Sequence, residues 1–122
     1  MITTHIQAIL LITGLLTTLA IVMFVAPQRG LKLLFGVERP EPGALFVARH
    51  WGLLVALIGA LLVVAAYEPG VRGPAMAVAA IEKLAGAALV LCTLTPRTAA
   101  ATMIAAGDAA MAVLYLLYFA GL

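Results

Sequence analysis

The stretch ALFVARHWGLLVALIGALLVVAA, residues 44–66, decides the fold of this chain. It is apolar apart from Arg49 and His50 near its start, and a helix across a bilayer needs about 20 mainly apolar residues. Three similar stretches lie around it, at about residues 6–25, 75–94 and 99–119. No segment alternates apolar and polar residues as a barrel strand must. The sequence therefore predicts an all-α integral membrane four-helix bundle, in one domain of residues 1–122.

The composition of the whole chain points to the same environment. Hydrophobic residues make up 66% of the 122 residues, charged residues make up 10%, and the mean hydropathy is +1.21. A soluble domain is about 45–50% apolar and about 25% charged. This chain cannot cover itself with polar side chains, which excludes a soluble enzyme and a nucleic-acid-binding protein. We expect the lipid bilayer to be its main partner.

The connections between the spans indicate an orientation. Four basic residues fall in the first and third loops: Arg29, Lys32, Arg39 and Arg97. Only Arg72 falls in the second loop. The positive-inside rule then places the first and third loops in the cytoplasm and both termini outside, and the expected location is the bacterial inner membrane. The first loop also holds a short amphipathic piece at residues 31–35, and residues 95–98 form a tight turn in which Thr98 is the predicted N-cap of the fourth helix.

Small residues are predicted to form the helix contacts, because they let helices in lipid approach closely. They recur at helical spacing on the faces that carry Arg49, the Glu82-Lys83 pair and Asp108. These residues are Gly52, Ala56, Gly59 or Ala60 on the second span, Ala79 and Gly86 on the third, and Ala101, Ala105 and Ala112 on the fourth.

Five ionisable residues lie within the spans: Arg49, His50, Glu82, Lys83 and Asp108. A charge at the bilayer centre costs at least about 2.5–3.5 kcal/mol, so such residues are functional candidates. Asp108 lies about 13 Å in from the cytoplasmic side and Lys83 about 12 Å in from the opposite side, at about 1.5 Å per residue. A cluster of Arg49, Asp108 and Lys83 is therefore geometrically allowed. Glu82 and Lys83 point about 100° apart, so both cannot face Asp108 squarely.

Two interpretations of these charges stay open. Lys83 and Asp108 could form one neutralising pair that fixes the helix register, while Arg49 and His50 extend to the interface beside Trp51. Alternatively, one carboxyl stays unpaired and carries a proton or acts as a general acid. Asp108 is the first candidate for that catalytic role and Glu82 the second. Pairing with Lys83 or Arg49 would instead make Asp108 a fixed charge.

The candidate ligand-binding residues are Arg49, His50, Trp51, Lys83 and Tyr115. Tyr115 and its neighbour Tyr118 are interpreted most simply as aromatic residues of the interface belt. The hydroxyls of the first helix are expected to bond their own backbone carbonyls.

No cofactor and no metal site is predicted. His5 and His50 fall at opposite faces of the bilayer, and no metal-binding spacing such as HExxH is present. The single cysteine, Cys92, excludes an internal disulfide and dithiol chemistry.

Several short motifs give a resemblance to a known family. A first helix ending in Ala26-Pro27 is followed by Leu34-Phe35-Gly36, by Arg49-His50-Trp51-Gly52, by Glu82-Lys83 and by Gly107-Asp108. This layout resembles the small four-helix membrane proteins of the DoxX-like type, over nearly the whole chain. The resemblance implies an accessory or quinone-adjacent role in a membrane redox complex. The chain departs from it by lacking a cysteine pair and a bis-histidine arrangement, which argues against electron transfer by the chain itself.

Three functions are compatible with the sequence. The first is a non-catalytic bundle that binds a lipophilic molecule or a partner subunit, as a homodimer or in a larger complex. The second is a proton-coupled carrier or channel that uses Asp108. The third is a small membrane enzyme acting on an isoprenoid, sterol or quinone-like substrate. In that enzyme Asp108 or Glu82 is the acid, and Arg49 or Lys83 stabilises an anion.

Overall fold

The computed structural model describes residues 1–93 and 96–122, and within these it is all-helical. A short 3₁₀ turn, Thr3–His5, precedes six α-helices. These are α1 (Ile6–Thr18), α2 (Ile21–Val25), α3 (Pro27–Phe35), α4 (Pro42–Tyr67), α5 (Pro69–Thr93) and α6 (Ala99–Phe119). The predicted end of the third span at residue 94, and Thr95 in the predicted turn, lie outside the described residues.

Four helical segments are long and apolar enough to cross a membrane: Thr3–Val25, Pro42–Tyr67, Pro69–Thr93 and Ala99–Phe119. The four predicted spans are thus confirmed by length and composition. The largest difference is the start of α5, which begins six residues before the predicted residue 75. Pro69 suits the first helical turn, and the helix continues through Pro74 although proline is unfavourable inside a helix.

The sequence predicts one continuous α-helix for the first span, but the structure divides this span between α1 and α2. Leu19 and Ala20 have 3₁₀-like dihedral angles, and their amides donate to the carbonyls three residues before them, at Leu16 and Thr17. The hydroxyl of Thr18 donates to the carbonyl of Leu15 at 2.6 Å. Hydroxyl bonds of this kind bend helices, which accounts for the tightened turn.

Close packing of the first span on α4 organises the bundle. A Cβ at Gly59 would lie 2.6 Å from the backbone nitrogen of Thr18 and 2.7 Å from the carbonyl oxygen of Gly14. A Cβ at Gly52 would lie 2.7 Å from the carbonyl oxygen of Ala20. These two glycines of α4 therefore permit the backbone contact that the small-residue pattern predicted.

The rest of the bundle follows the chain order. The helix α4 packs on α5, and α5 packs on α6. The predicted contact residues Ala56, Ala79, Ala101, Ala105 and Ala112 are all buried, whereas Ala60 is exposed and Gly86 is partly buried.

The connection between α4 and α5 is a single residue, Glu68. The carbonyl of Ala65 would normally accept from residue 69, but Pro69 has no N–H. The guanidinium of Arg72 replaces it, donating from Nε to Ala65 O at 2.8 Å and from Nη2 to Ala66 O at 2.7 Å. Arg72 therefore caps the buried end of α4.

The predicted amphipathic piece is part of α3, which lies against α2, α4 and α6. The helix ends at Gly36, whose φ of 70° is the left-handed conformation that favours glycine. Thr98 is the N-cap of α6, as predicted, because its Oγ1 accepts from the amide of Ala101 at 3.0 Å. The same hydroxyl donates to the carbonyl of Leu34 and ties α3 to the start of α6.

Candidate functional site

A buried ion pair joins α5 and α6 near the middle of the bundle. Lys83 Nζ lies 3.2 Å from Asp108 Oδ1 and donates to Thr17 Oγ1 at 2.9 Å. The Lys83 side chain is 2% exposed and the Asp108 side chain is 23% exposed. The two residues approach from opposite ends of their antiparallel helices, so the predicted pair forms at a common depth.

Hydroxyl groups of the first span extend this pair into a ladder. The Thr17 hydroxyl donates to the carbonyl of Thr13 at 2.7 Å, and the Thr13 hydroxyl donates to the carbonyl of Ile9 at 2.7 Å. These bonds confirm the expectation that first-helix hydroxyls bond their own carbonyls. The same two oxygens also accept from Lys83 and from the hydroxyl of Tyr115. The first span is thereby joined to both α5 and α6.

The interpretation of Tyr115 as an interface-belt residue is wrong. Its side chain is fully buried, and its hydroxyl donates to Thr13 Oγ1 at 2.7 Å. It belongs to the core cluster that includes Leu10 and Leu62. A buried tyrosine hydroxyl needs a hydrogen-bond partner, and Thr13 supplies it.

Glu82 is the residue of this region that keeps a free acceptor. Its Oε2 is buried and has no hydrogen-bond partner within residues 1–93 and 96–122. Lys83 and Asp108 both lie within electrostatic range of its carboxyl group. We call Glu82, Lys83 and Asp108 the charged triad. Asp108 Oδ1 accepts from Lys83, whereas the buried oxygen without a partner belongs to Glu82, the second of the two predicted acid candidates.

Two adjoining cavities, of about 320 and about 330 Å³, lie beside the charged triad. We call the first the inner cavity, because Lys83 and Thr17 lie on its wall. The second lies between α3, α5 and α6. Both contain Leu34, Trp51, Glu82, Ile104 and Asp108 in their walls.

The walls of the inner cavity are mainly aliphatic, and they reach the outer surface of the bundle. Leu19 and Leu33 line this cavity and are 63% and 70% exposed. The cavity therefore opens toward the side that acyl chains would cover. Among the described wall residues of both cavities, only the charged triad is ionisable.

The predicted ligand-binding residues separate into two groups. Trp51 and Lys83 lie on the cavity walls. Arg49 and His50 are exposed, and Arg49 makes no ion pair with any residue that the structure describes, so the allowed cluster forms without it. Tyr115 lies in the core, outside the described cavity walls.

Sequence reasoning missed the roles of Thr13 and Thr17 as acceptors for other helices. The signal was present, because the two residues are four apart and therefore lie on one face of α1. It was interpreted only as local hydroxyl–carbonyl bonding. The aliphatic wall residues carry no comparable signal, because leucine, isoleucine and valine occur on every face of these helices.

Comparisons of this chain with models of known protein families, with curated proteins and with solved structures found no match. Chemically, the arrangement offers an aliphatic cavity, a lysine already bonded to two acceptors, and a glutamate carboxylate whose Oε2 has no hydrogen-bond partner among the described residues.

Proposed function

We propose that this protein binds a lipophilic small molecule in the inner cavity, with the polar end of the molecule against the charged triad. The observation that carries this proposal is the aliphatic cavity that opens on the lipid-facing side and has on its wall Glu82, whose buried Oε2 has no hydrogen-bond partner among the described residues. Small-molecule sites are mostly apolar clefts of about 300–1,000 Å³ with a few placed polar groups. The volume of about 320 Å³ fits a headgroup with part of a chain.

The setting that we propose is a bacterial inner membrane, with both termini outside. The charges of the connections support this orientation, because the guanidinium of Arg72 is used as a helix cap. The remaining loop cations, Arg29, Lys32, Arg39 and Arg97, all belong to the first and third connections. An accessory role in a membrane redox complex, as in the DoxX-like proteins, is the biological context that we propose for ligand binding.

The experiment that tests ligand binding is native mass spectrometry after extraction in mild detergent. The wild-type protein should retain a small molecule, and the cavity-filling variant Ile104→Phe should lose it. Ile104 suits this purpose because it lines both cavities and is 43% exposed, so the larger ring can be accommodated. Met103→Phe is the matched control, since Met103 is 73% exposed and absent from the described cavity walls. Equal retention by wild type and Ile104→Phe would contradict the proposal.

A second function, acid–base catalysis on the bound molecule, is favoured by the same oxygen of Glu82. A general acid or base must reach its substrate, and Glu82 has a free oxygen at the cavity wall while Asp108 is bonded to Lys83. The test is incubation of the protein with a total membrane lipid extract, followed by mass spectrometry. Depletion of one lipid by wild type, but not by Glu82→Gln, would support an enzyme. Identical lipid profiles would contradict it.

A further inference from the structure

The charged triad has a charge imbalance that limits what it can bind. Glu82 and Asp108 contribute two carboxylates and Lys83 contributes one ammonium group. The other described wall residues of the two cavities are uncharged. With all three groups ionised, the polar end of the cavity therefore has a formal charge of −1. An uncompensated charge in an apolar environment is strongly unfavourable, so this end of the cavity favours a cation.

The hydrogen bonds of the triad argue against an anionic headgroup. The ammonium group of Lys83 already contacts Asp108 Oδ1 at 3.2 Å and Thr17 Oγ1 at 2.9 Å, and the side chain is 2% exposed. A phosphate or carboxylate could accept only the one remaining N–H of Lys83, since an ammonium group has three. It would also approach the free carboxylate oxygen of Glu82, which repels it.

The free oxygen of Glu82 also distinguishes a cation from a neutral alcohol. Both can donate a hydrogen bond to a carboxylate oxygen. Only a cation also offsets the charge of −1 that the triad carries when all three groups are ionised, and hydrogen bonds between charged partners are roughly twice as strong as neutral ones. The aliphatic wall beside the triad suits a hydrocarbon chain attached to that cation.

From these observations we propose that the ligand is a lipophilic amine, an amphiphile whose ammonium group pairs with the carboxylate of Glu82 while its hydrocarbon chain lies in the inner cavity. This inference rests on the proposed binding function and specifies its ligand class.

Trp51 makes this proposal directly testable. It is the single tryptophan of the chain, and it lies on the wall of both cavities. Its fluorescence should therefore be quenched by a bromine atom on a bound chain. The probes are three brominated undecyl amphiphiles with an ammonium, a hydroxyl or a carboxylate headgroup. Each is titrated into protein held in phosphatidylcholine nanodiscs.

The ammonium probe should quench Trp51 saturably and bind more tightly than the other two. Glu82→Gln should weaken its binding by about tenfold or more, because a single hydrogen bond between charged groups contributes roughly that factor. Binding of the hydroxyl probe should change far less. Glu82→Asp, which keeps the charge, should retain the preference for the ammonium probe, and the exposed Glu41→Gln is the matched control. Circular dichroism identifies any variant that fails to fold.

The outcomes separate this inference from the proposed function. Saturable binding of all three probes with equal affinity, lost in Ile104→Phe, would overturn the amine and leave the binding function standing. Tighter binding of the carboxylate probe would also overturn the amine and leave the binding function standing. Absence of saturable quenching by every probe in folded protein would overturn both.

Discussion

The contributions of Lys83 and Asp108 to the free energy of unfolding should be strongly coupled. At 3.2 Å and an effective dielectric constant of about 20, the attraction between the two charges is about 5 kcal/mol before desolvation is counted. Removing one partner of a buried pair typically costs about 3–5 kcal/mol, because the other charge stays buried alone. Lys83→Met should cost more than Asp108→Asn, because it leaves the carboxylates of Asp108 and Glu82 without a cation, whereas Asp108→Asn leaves Lys83 within electrostatic range of Glu82.

The double variant Lys83→Met/Asp108→Asn should be more stable than Lys83→Met alone, because it removes one of the two carboxylates left without a cation. We expect a coupling energy of about 2–3 kcal/mol from the double-mutant cycle. The measurement is reversible unfolding in mixed micelles with increasing fractions of dodecyl sulfate, followed by circular dichroism.

The chain offers its own control for this cycle. Lys32 Nζ lies 3.5 Å from Glu38 Oε2, with side chains 65% and 72% exposed. A surface pair of this kind contributes at most about 1 kcal/mol, so the corresponding cycle should show little coupling. Additive losses at Lys83 and Asp108, with a coupling below about 0.5 kcal/mol, would refute the reasoning that the buried charges depend on each other.

Three further predictions concern stability in the same unfolding assay. Tyr115→Phe should cost about 0.5–1.5 kcal/mol, because it removes the hydrogen bond to Thr13 and leaves the ring in place. Gly59→Ala should cost about 1–3 kcal/mol, because the added Cβ would lie 2.6 Å from backbone of the first span. Arg72→Met should cost about 1.5–3 kcal/mol for each hydrogen bond lost, because the buried carbonyls of Ala65 and Ala66 lose a charged donor.

Each of these variants has a matched control. Tyr118→Phe removes a hydroxyl that has no hydrogen-bond partner among the described residues, and Gly107→Ala adds a Cβ with no described atom within 4 Å. Arg29→Met removes an exposed cation. The role given to Tyr115, Gly59 or Arg72 is contradicted if the variant at that residue is no less stable than its matched control.

The fold was largely predictable because it depends on hydropathy summed over long windows. The bounds of α6, Ala99–Phe119, agree with the predicted span, since Thr98 supplies a local N-cap signal. The start of α5 was not predictable in the same way. Proline is unfavourable inside a helix, and a single sequence does not show that the first turns of α5 tolerate Pro74.

The depth of the site residues in the membrane was predictable from the sequence, but the direction in which their side chains point was not. Counting residues from opposite membrane faces correctly brings Lys83 to the level of Asp108. The helix α6 is almost equally apolar all round, so its sequence does not indicate which face points inward. That is why Tyr115 was interpreted as an interface residue. The choice between Asp108 and Glu82 as the free carboxyl depends on the same rotation of the helices.

The single-residue connection between α4 and α5 has a consequence for biosynthesis. With only Glu68 between them, we expect the two helices to enter a bilayer together, as a helical hairpin. The carbonyls at the end of α4 have no N–H donor from Pro69, and Arg72 reaches them only once α5 has begun to form. The hydrogen bonds that Arg72 donates to the end of α4 should therefore form late, after the start of α5 has folded. Mutations at Arg72 should lower the yield of inserted protein during synthesis.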